Sequence, residues 1–248
     1  MNFKDHFSKQ AVDYAKYRPT YPLALFDYLA SLTAEHELAW DCATGNGQAA
    51  VALAKYYNTV AATDASTSQI QNAVVHPKIQ YRVSPAEKTN LKVHSVDLIT
   101  VAQALHWFEL DKFYDEVRRV SKSGGILAVW CYNLLTVDRQ IDRLLLDFYQ
   151  NMVGDFWPAE RKLLEDEYAP LPFPFREIQP PPFKMTCHWN LGELVGYLNT
   201  WSAVQKYKIA HKTDPLDLIT ERLENLWGLK EAKKKITWPV CLRIGQVD

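Results

Sequence analysis

"LAWDCATGNGQAAVALA", residues 38–54, places an acid and two glycines between two apolar runs. The first run reads as a strand ending at Trp40, the second as a helix starting near Gly47. Gly45 and Gly47 let the backbone approach a ligand with no Cβ in the way. The helix start offers free N–H groups to an electron-rich group. In an open parallel sheet, ligands bind beyond the carboxyl ends of the strands where strand order reverses. The turn after a first strand is such a place. The glycines alone leave the ligand, or its absence, open.

Outward from this turn, strands and helices alternate. ELAW (37–40), TVAAT (59–63), IQYRV (79–83), VDLITVA (96–102) and ILAVWCY (126–132) read as strands. Helices are expected over 21–33, 47–57, 67–75 and 109–120, with Gly124-Gly125 ending the last. Such alternation predicts a parallel sheet with helices on both faces. After residue 133 the rhythm changes. Residues 138–151, 157–168, 191–203 and 215–228 read as helical. The proline-rich APLPFPFREIQPPPF (169–183) reads as a rigid surface connector. KMTCHWN (184–190) and ITWPVCLRIG (236–245) read as strands, and Pro239 suggests that the last lies at an edge.

The 248 residues are 48% hydrophobic, enough for one large domain or a core with an inserted cap. With 28 basic and 29 acidic residues, nothing favours a polyanionic partner. Cys42, Cys131, Cys187 and Cys241 are scattered, with no metal-ligand spacing, and are expected to be reduced thiols. The N-terminal stretch lacks an apolar signal core, and no run nears the roughly 20 apolar residues of a membrane span. A soluble, cytoplasmic protein with a small-molecule substrate, and no nucleic-acid or membrane partner, is expected.

Two ligand classes compete for the turn. Gly45-x-Gly47-x-x-Ala50 fits the dinucleotide pattern, and Asp64, 19 residues past Gly45, stands where a ribose-binding acid belongs. An NAD(P)-dependent oxidoreductase is therefore one reading. Asp41 argues the other way. It precedes the first glycine by four positions, where a pyrophosphate disfavours a carboxylate. A ligand carrying an ammonium and a sulfonium accepts one.

An acid followed by glycine-x-glycine at the end of the first strand resembles motif I of the class I S-adenosylmethionine (SAM)-dependent methyltransferases. SPAEKTNL (84–91), SVDLITVAQALHWF (95–108) and VSKSGGILAVW (120–130) resemble that family's later turns, in order. YRPTYP (17–22), GYLNTWSAVQKY (196–207) and WPVCLRIG (238–245) are similar to the methyltransferase type 11 proteins of the trans-aconitate methyltransferase-like branch. The resemblance implies an α/β fold: a Rossmann-like, doubly wound, seven-stranded sheet, mostly parallel with an antiparallel last strand, plus a helical cap. A single domain would divide into an arm and helix (1–33), a SAM-binding core (34–133), a cap (134–235) and the last strand (236–248). It implies SAM as cofactor, with Asp41 serving the methionine end and Asp64 the ribose hydroxyls. Ala43, Gly45, Asn46 and Gly47 would complete the turn, and Ala65 and Ser66 would flank Asp64. Ala86 would offer its N–H to adenine beside Glu87, though Pro85 stands where many relatives have an acid. Gln103 and Ala104 would close the site, and Arg18 would clamp the cofactor carboxylate.

Methyl transfer from a sulfonium is an in-line displacement in which the protein chiefly aligns the acceptor and excludes water. A carboxylate acceptor needs no base, whereas a phenol or amine benefits from one. His106 follows the fourth strand, where the acceptor arrives in this fold. It is the candidate catalytic residue, as a base, a hydrogen-bond donor or part of the cofactor cradle. Trp107, Trp130, Trp201, Tyr14 and Tyr21 are candidate acceptor contacts, with packing as the alternative for each aromatic. A small carboxylate acceptor is the expected substrate. A SAM-binding protein without catalysis is a further reading.

Overall fold

The computed structural model describes residue 17 and residues 19–248. Among these, eight strands form one sheet: β1 (Leu38–Cys42), β2 (Thr59–Asp64), β3 (Ile79–Val83), β4 (Val96–Ala102), β5 (Ser121–Tyr132), β6 (Arg176–Ile178), β7 (Phe183–Trp189) and β8 (Lys234–Gln246). Their order is β3-β2-β1-β4-β5-β8-β6, with β7 also on β8. β1 to β5 are parallel, and β8 runs antiparallel to β5, β6 and β7. β1 and β4 are buried along nearly their whole length, as central parallel strands between two helical layers must be.

The helices are α1 (Leu23–Ser31), α2 (Gln48–Leu53), α3 (Thr67–Gln71), α4 (Leu110–Val120), α5 (Arg139–Asp147), α6 (Arg161–Glu165), α7 (Leu191–Asn199), α8 (Ser202–His211) and α9 (Asp217–Trp227). One sheet face, with Ala39, Val60, Leu98 and Ala128, packs against α1, α2, α5 and α7 to α9. The other, with Trp40, Ala61, Ile99 and Val129, packs against α4 and Leu164 of α6. α4 shows why. Phe113, Val117 and Val120 recur at helical spacing and are all buried, each worth roughly 1.5–3 kcal/mol.

The doubly wound sheet with its antiparallel last strand is present, with three departures. The expected strand at 184–190 forms as β7, and the proline-rich stretch expected to be a connector carries a further short strand, β6. β6 pairs with Ile244–Gln246 and β7 with Lys234–Val240 of the same strand, β8. Pro180, Pro181 and Pro182 lie between them and supply no N–H to a ladder. The segment between β5 and β8 is thus helical plus two strands. Second, Gly124-Gly125 does not end α4, which stops as Ser121 turns extended and enters β5. The pair forms a bulge, since Val96 faces Ser121 while Leu98 already faces Ile126. Gly124 has φ 75°, and a Cβ on Gly125 would crowd the Lys122 and Val96 carbonyls. Third, β8 is not an edge strand. It lies between β5 and the β6–β7 pair, and pairing with β5 ends at Val240, one residue from Pro239.

Candidate active site

Strand order reverses between β1 and β4, so the loops leaving their carboxyl ends open onto one crevice. Ala43 (φ 54°) and Gln103 (φ 59°) in these loops hold left-handed backbone without being glycine. Such conformations cost of order 1–3 kcal/mol and cluster at functional sites. Gln103 is pinned by its N–H to the Trp130 carbonyl (2.9 Å) and by Nε2 to the Tyr132 carbonyl (3.0 Å).

The glycine turn is built around Asp64. Its Oδ2 accepts from the Gly45 N–H and its Oδ1 from the Ser66 N–H, each at 2.8 Å. One carboxylate thereby ties the β1 exit to the β2 exit. Ser66 also caps α3 through Gln69 N–H, and the Asn46 carbonyl accepts from Val74. The two glycines do different work. Gly45 (φ 58°) leaves its Cβ position open, with Gln69 Oε1 at 3.9 Å as the nearest group. Gly47 (φ 91°) does not open towards a ligand as expected. The Tyr81 hydroxyl, which donates to the Val74 carbonyl (2.9 Å), occupies the place of its Cβ.

Asp41 lies inside β1 and is 1% exposed. Thr44 Oγ1 donates to its Oδ2 (2.5 Å) and Thr100 Oγ1 to its Oδ1 (2.7 Å). Among the described residues no basic side chain pairs with it. Burial pushes its carboxyl up to about 6, against the pull of the two threonines. It is a desolvated acid with no counter-charge among the described residues, directly beneath the turn.

His106 sits in the 3₁₀ turn Leu105–Trp107 that follows β4. Its Nδ1 lies 3.0 Å from the hydroxyl of Tyr168, a residue 1% exposed. Burial, with the nearby Arg161 charge, lowers the imidazole to about 3, so it is neutral at physiological pH. Arg161 stacks over Trp157 (4.9 Å) and Tyr149 (5.4 Å) and donates from Nε to the Tyr149 hydroxyl (2.7 Å).

A family of proteins described as the methyltransferase domain matches residues 40–129, the span of this crevice. A methyltransferase homologue of Dictyostelium discoideum is 34% identical over 253 residues, covering 99% of this chain and 96% of its own. The chain belongs to the SAM-dependent methyltransferase family. A Saccharomyces cerevisiae relative, named for S-adenosylmethionine-dependent methyl transfer, is 26% identical over half of this chain and 45% of its own. The structure titled as a type II methyltransferase of Anaeromyxobacter dehalogenans superposes with a TM-score of 0.88 at 40% identity, covering 92% of this chain and 97% of that one.

The site chemistry fits a methyltransferase cofactor. A buried carboxylate at Asp41, without a counter-charge among the described residues, suits a cationic ligand and opposes a pyrophosphate. Gly45 leaves room for one. At the β5 end, the buried Trp130 Nε1 and Asn133 Oδ1 have no hydrogen-bond partner among the described residues, a feature that asks for a bound group.

The remaining expected residues divide. Ala104 (7% exposed) and Ala86 (8%) line the second apolar cluster beside the crevice, while Ala65 is exposed next to Asp64. Glu87 spends Oε1 on the Glu109 N–H (3.0 Å) at the start of α4. Trp107, 38% exposed, covers the His106 ring at 4.6 Å. Trp130 is wholly buried, with Tyr21 edge-on at 5.4 Å. Trp201 lies inside an aromatic cluster with Phe148, Tyr149, Trp157 and Tyr197, a packing position rather than an open wall. Arg18 and Tyr14 lie outside the described residues. Sequence reading missed Thr44, Thr100, Arg161 and Tyr168. Thr44 stands within the turn itself, whereas Tyr168 is 62 residues from His106 and sits in irregular chain without a motif.

Proposed function

We propose that this methyltransferase moves the methyl group of SAM to a carboxylate oxygen of a small-molecule acceptor, by in-line displacement with little or no general-base requirement. Bound SAM supplies the electrophilic methyl group on its sulfonium. Asp64 takes the ribose hydroxyls while holding the turn, and Asp41 balances the ligand's positive charge from beneath. The reading rests on His106. A histidine lowered to about 3 is a weak base at neutral pH, because proton-transfer efficiency follows basicity. A carboxylate, ionised above pH 5, asks nothing of it. The Arg161 guanidinium nearby favours an anionic acceptor. His106 then serves as a hydrogen-bond donor to the acceptor. No described helix is long and apolar enough to cross a membrane, which accords with a cytoplasmic setting and a small dissolved substrate. No observation favours nicotinamide chemistry or a purely non-catalytic role.

The test is a transfer assay with methyl-labelled SAM against small carboxylic acids, phenols and amines. Labelled, alkali-labile esters are the expected products. Label confined to alkali-stable ethers or amines would overturn the carboxylate assignment.

A further inference from the structure

We infer that Tyr168 is a positioning residue that locks His106 in the tautomer protonated at Nε2, so that the imidazole presents a donor, not a base, to the acceptor. The inference rests on the acceptor-side role proposed for His106.

The Tyr168 oxygen lies 3.0 Å from His106 Nδ1. Among the described residues, Nδ1 is the acceptor within hydrogen-bond distance of that hydroxyl. A phenol oxygen has one proton to give and two lone pairs to receive. The buried phenol proton therefore goes to Nδ1, and Nδ1 must be bare. The alternative, an Nδ1–H donating to Tyr168, sets the ring proton against the phenol oxygen. It also leaves a buried phenol proton without an acceptor, a cost of about 1–3 kcal/mol. The neutral ring then carries its proton on Nε2.

The surroundings hold Tyr168 to this task. Glu167 (φ 55°) and Tyr168 (φ 60°) are consecutive non-glycine residues in left-handed backbone, which persists only where neighbours over-determine it. Arg243 Nη1 donates to the carbonyls of Tyr168 and Leu171, each at 3.0 Å. The same guanidinium pairs with Glu177 (2.9 Å) and lies over the Phe173 ring (4.6 Å). Among the described residues, Arg161 and Cys131 are the other titratable groups felt by Tyr168, and Arg161 is the one felt by His106. Burial raises the phenol well above its ordinary value, so it remains a proton donor across the working range. The Cys131 thiol is likewise raised and stays neutral.

The test is long-range ¹H–¹⁵N correlation of the histidine rings in the full-length protein bound to S-adenosylhomocysteine. The His106 signal is assigned by its loss in His106→Gln. The wild type is expected to show the Nε2–H tautomer without protonation from pH 5.5 to 8. In Tyr168→Phe the Nδ1–H form is expected to appear, with kcat for the acceptor down about tenfold and cofactor affinity unchanged. An Nδ1–H tautomer in the wild type overturns the inference, and so does an unchanged tautomer in Tyr168→Phe. Should that variant fail to fold, the wild-type spectrum alone decides. Because the spectrum needs no acceptor, failure of the carboxylate assignment appears separately, in the products of the transfer assay.

Discussion

Asp41, proposed to serve cofactor binding, is held at the expense of stability. Its carboxyl is raised to about 6 by burial, so the folded chain holds that proton more tightly than the unfolded chain, where the value is near 3.8. The stability this proton confers is fully present below about pH 4 and is lost as pH rises through 6. The ionised group then costs up to about 3 kcal/mol at neutral pH. Asp41→Asn is therefore expected to make the ligand-free protein more stable by about 1–3 kcal/mol at pH 8, but little changed at pH 4. It is also expected to weaken binding of the cationic cofactor at least tenfold. Urea midpoints at the two pH values and calorimetric titration with SAM check both halves. Equal SAM affinity in the variant would remove Asp41 from cofactor recognition.

At the scale of elements, the two glycines of one turn make opposite predictions. Alanine at Gly47 must adopt φ 91° and collide with the Tyr81 hydroxyl. Gly47→Ala is expected to destabilise the fold by more than 1 kcal/mol. Alanine at Gly45 meets no close group. Gly45→Ala is expected to cost about 1 kcal/mol of backbone strain, while its new methyl group obstructs the cofactor. Thermal melts with and without SAM separate the two effects. A Gly45→Ala protein that binds SAM normally would contradict the assignment of that space to the ligand. These elements also show what sequence could reveal. The apolar runs of β1, β2, β4 and β5 were legible because central parallel strands are buried on both faces. The roles of the glycines were not. Gly47 is explained by Tyr81, 34 positions away in sequence, and Gly124-Gly125 reads as a helix stop until the offset between Val96 and Leu98 exposes the bulge.

For the whole molecule, the parallel core and its crevice follow from the order of strands, helices and acids along residues 38–130. Asp41 and Asp64 could be found because their spacing from the turn is local. The side proposed for the acceptor could not be found so directly. His106 stands alone as a candidate in the sequence, and its chemistry is set by Tyr168 and Arg161, which arrive from the segment between β5 and β8. Trp201 invited a ligand role because a tryptophan at helical spacing has the same signature whether it faces a pocket or other rings. The proposed site sets a cationic cofactor above a buried acid, with a neutral histidine beside the acceptor. The most direct test is the pH dependence of kcat/KM for the acceptor identified by the transfer assay, measured with saturating SAM. A rate level from about pH 6 to 9, falling only as the carboxylate takes up a proton at lower pH, is the predicted result. A rate that climbs tenfold per pH unit through this range, or that follows a group titrating near 6.5, would contradict it.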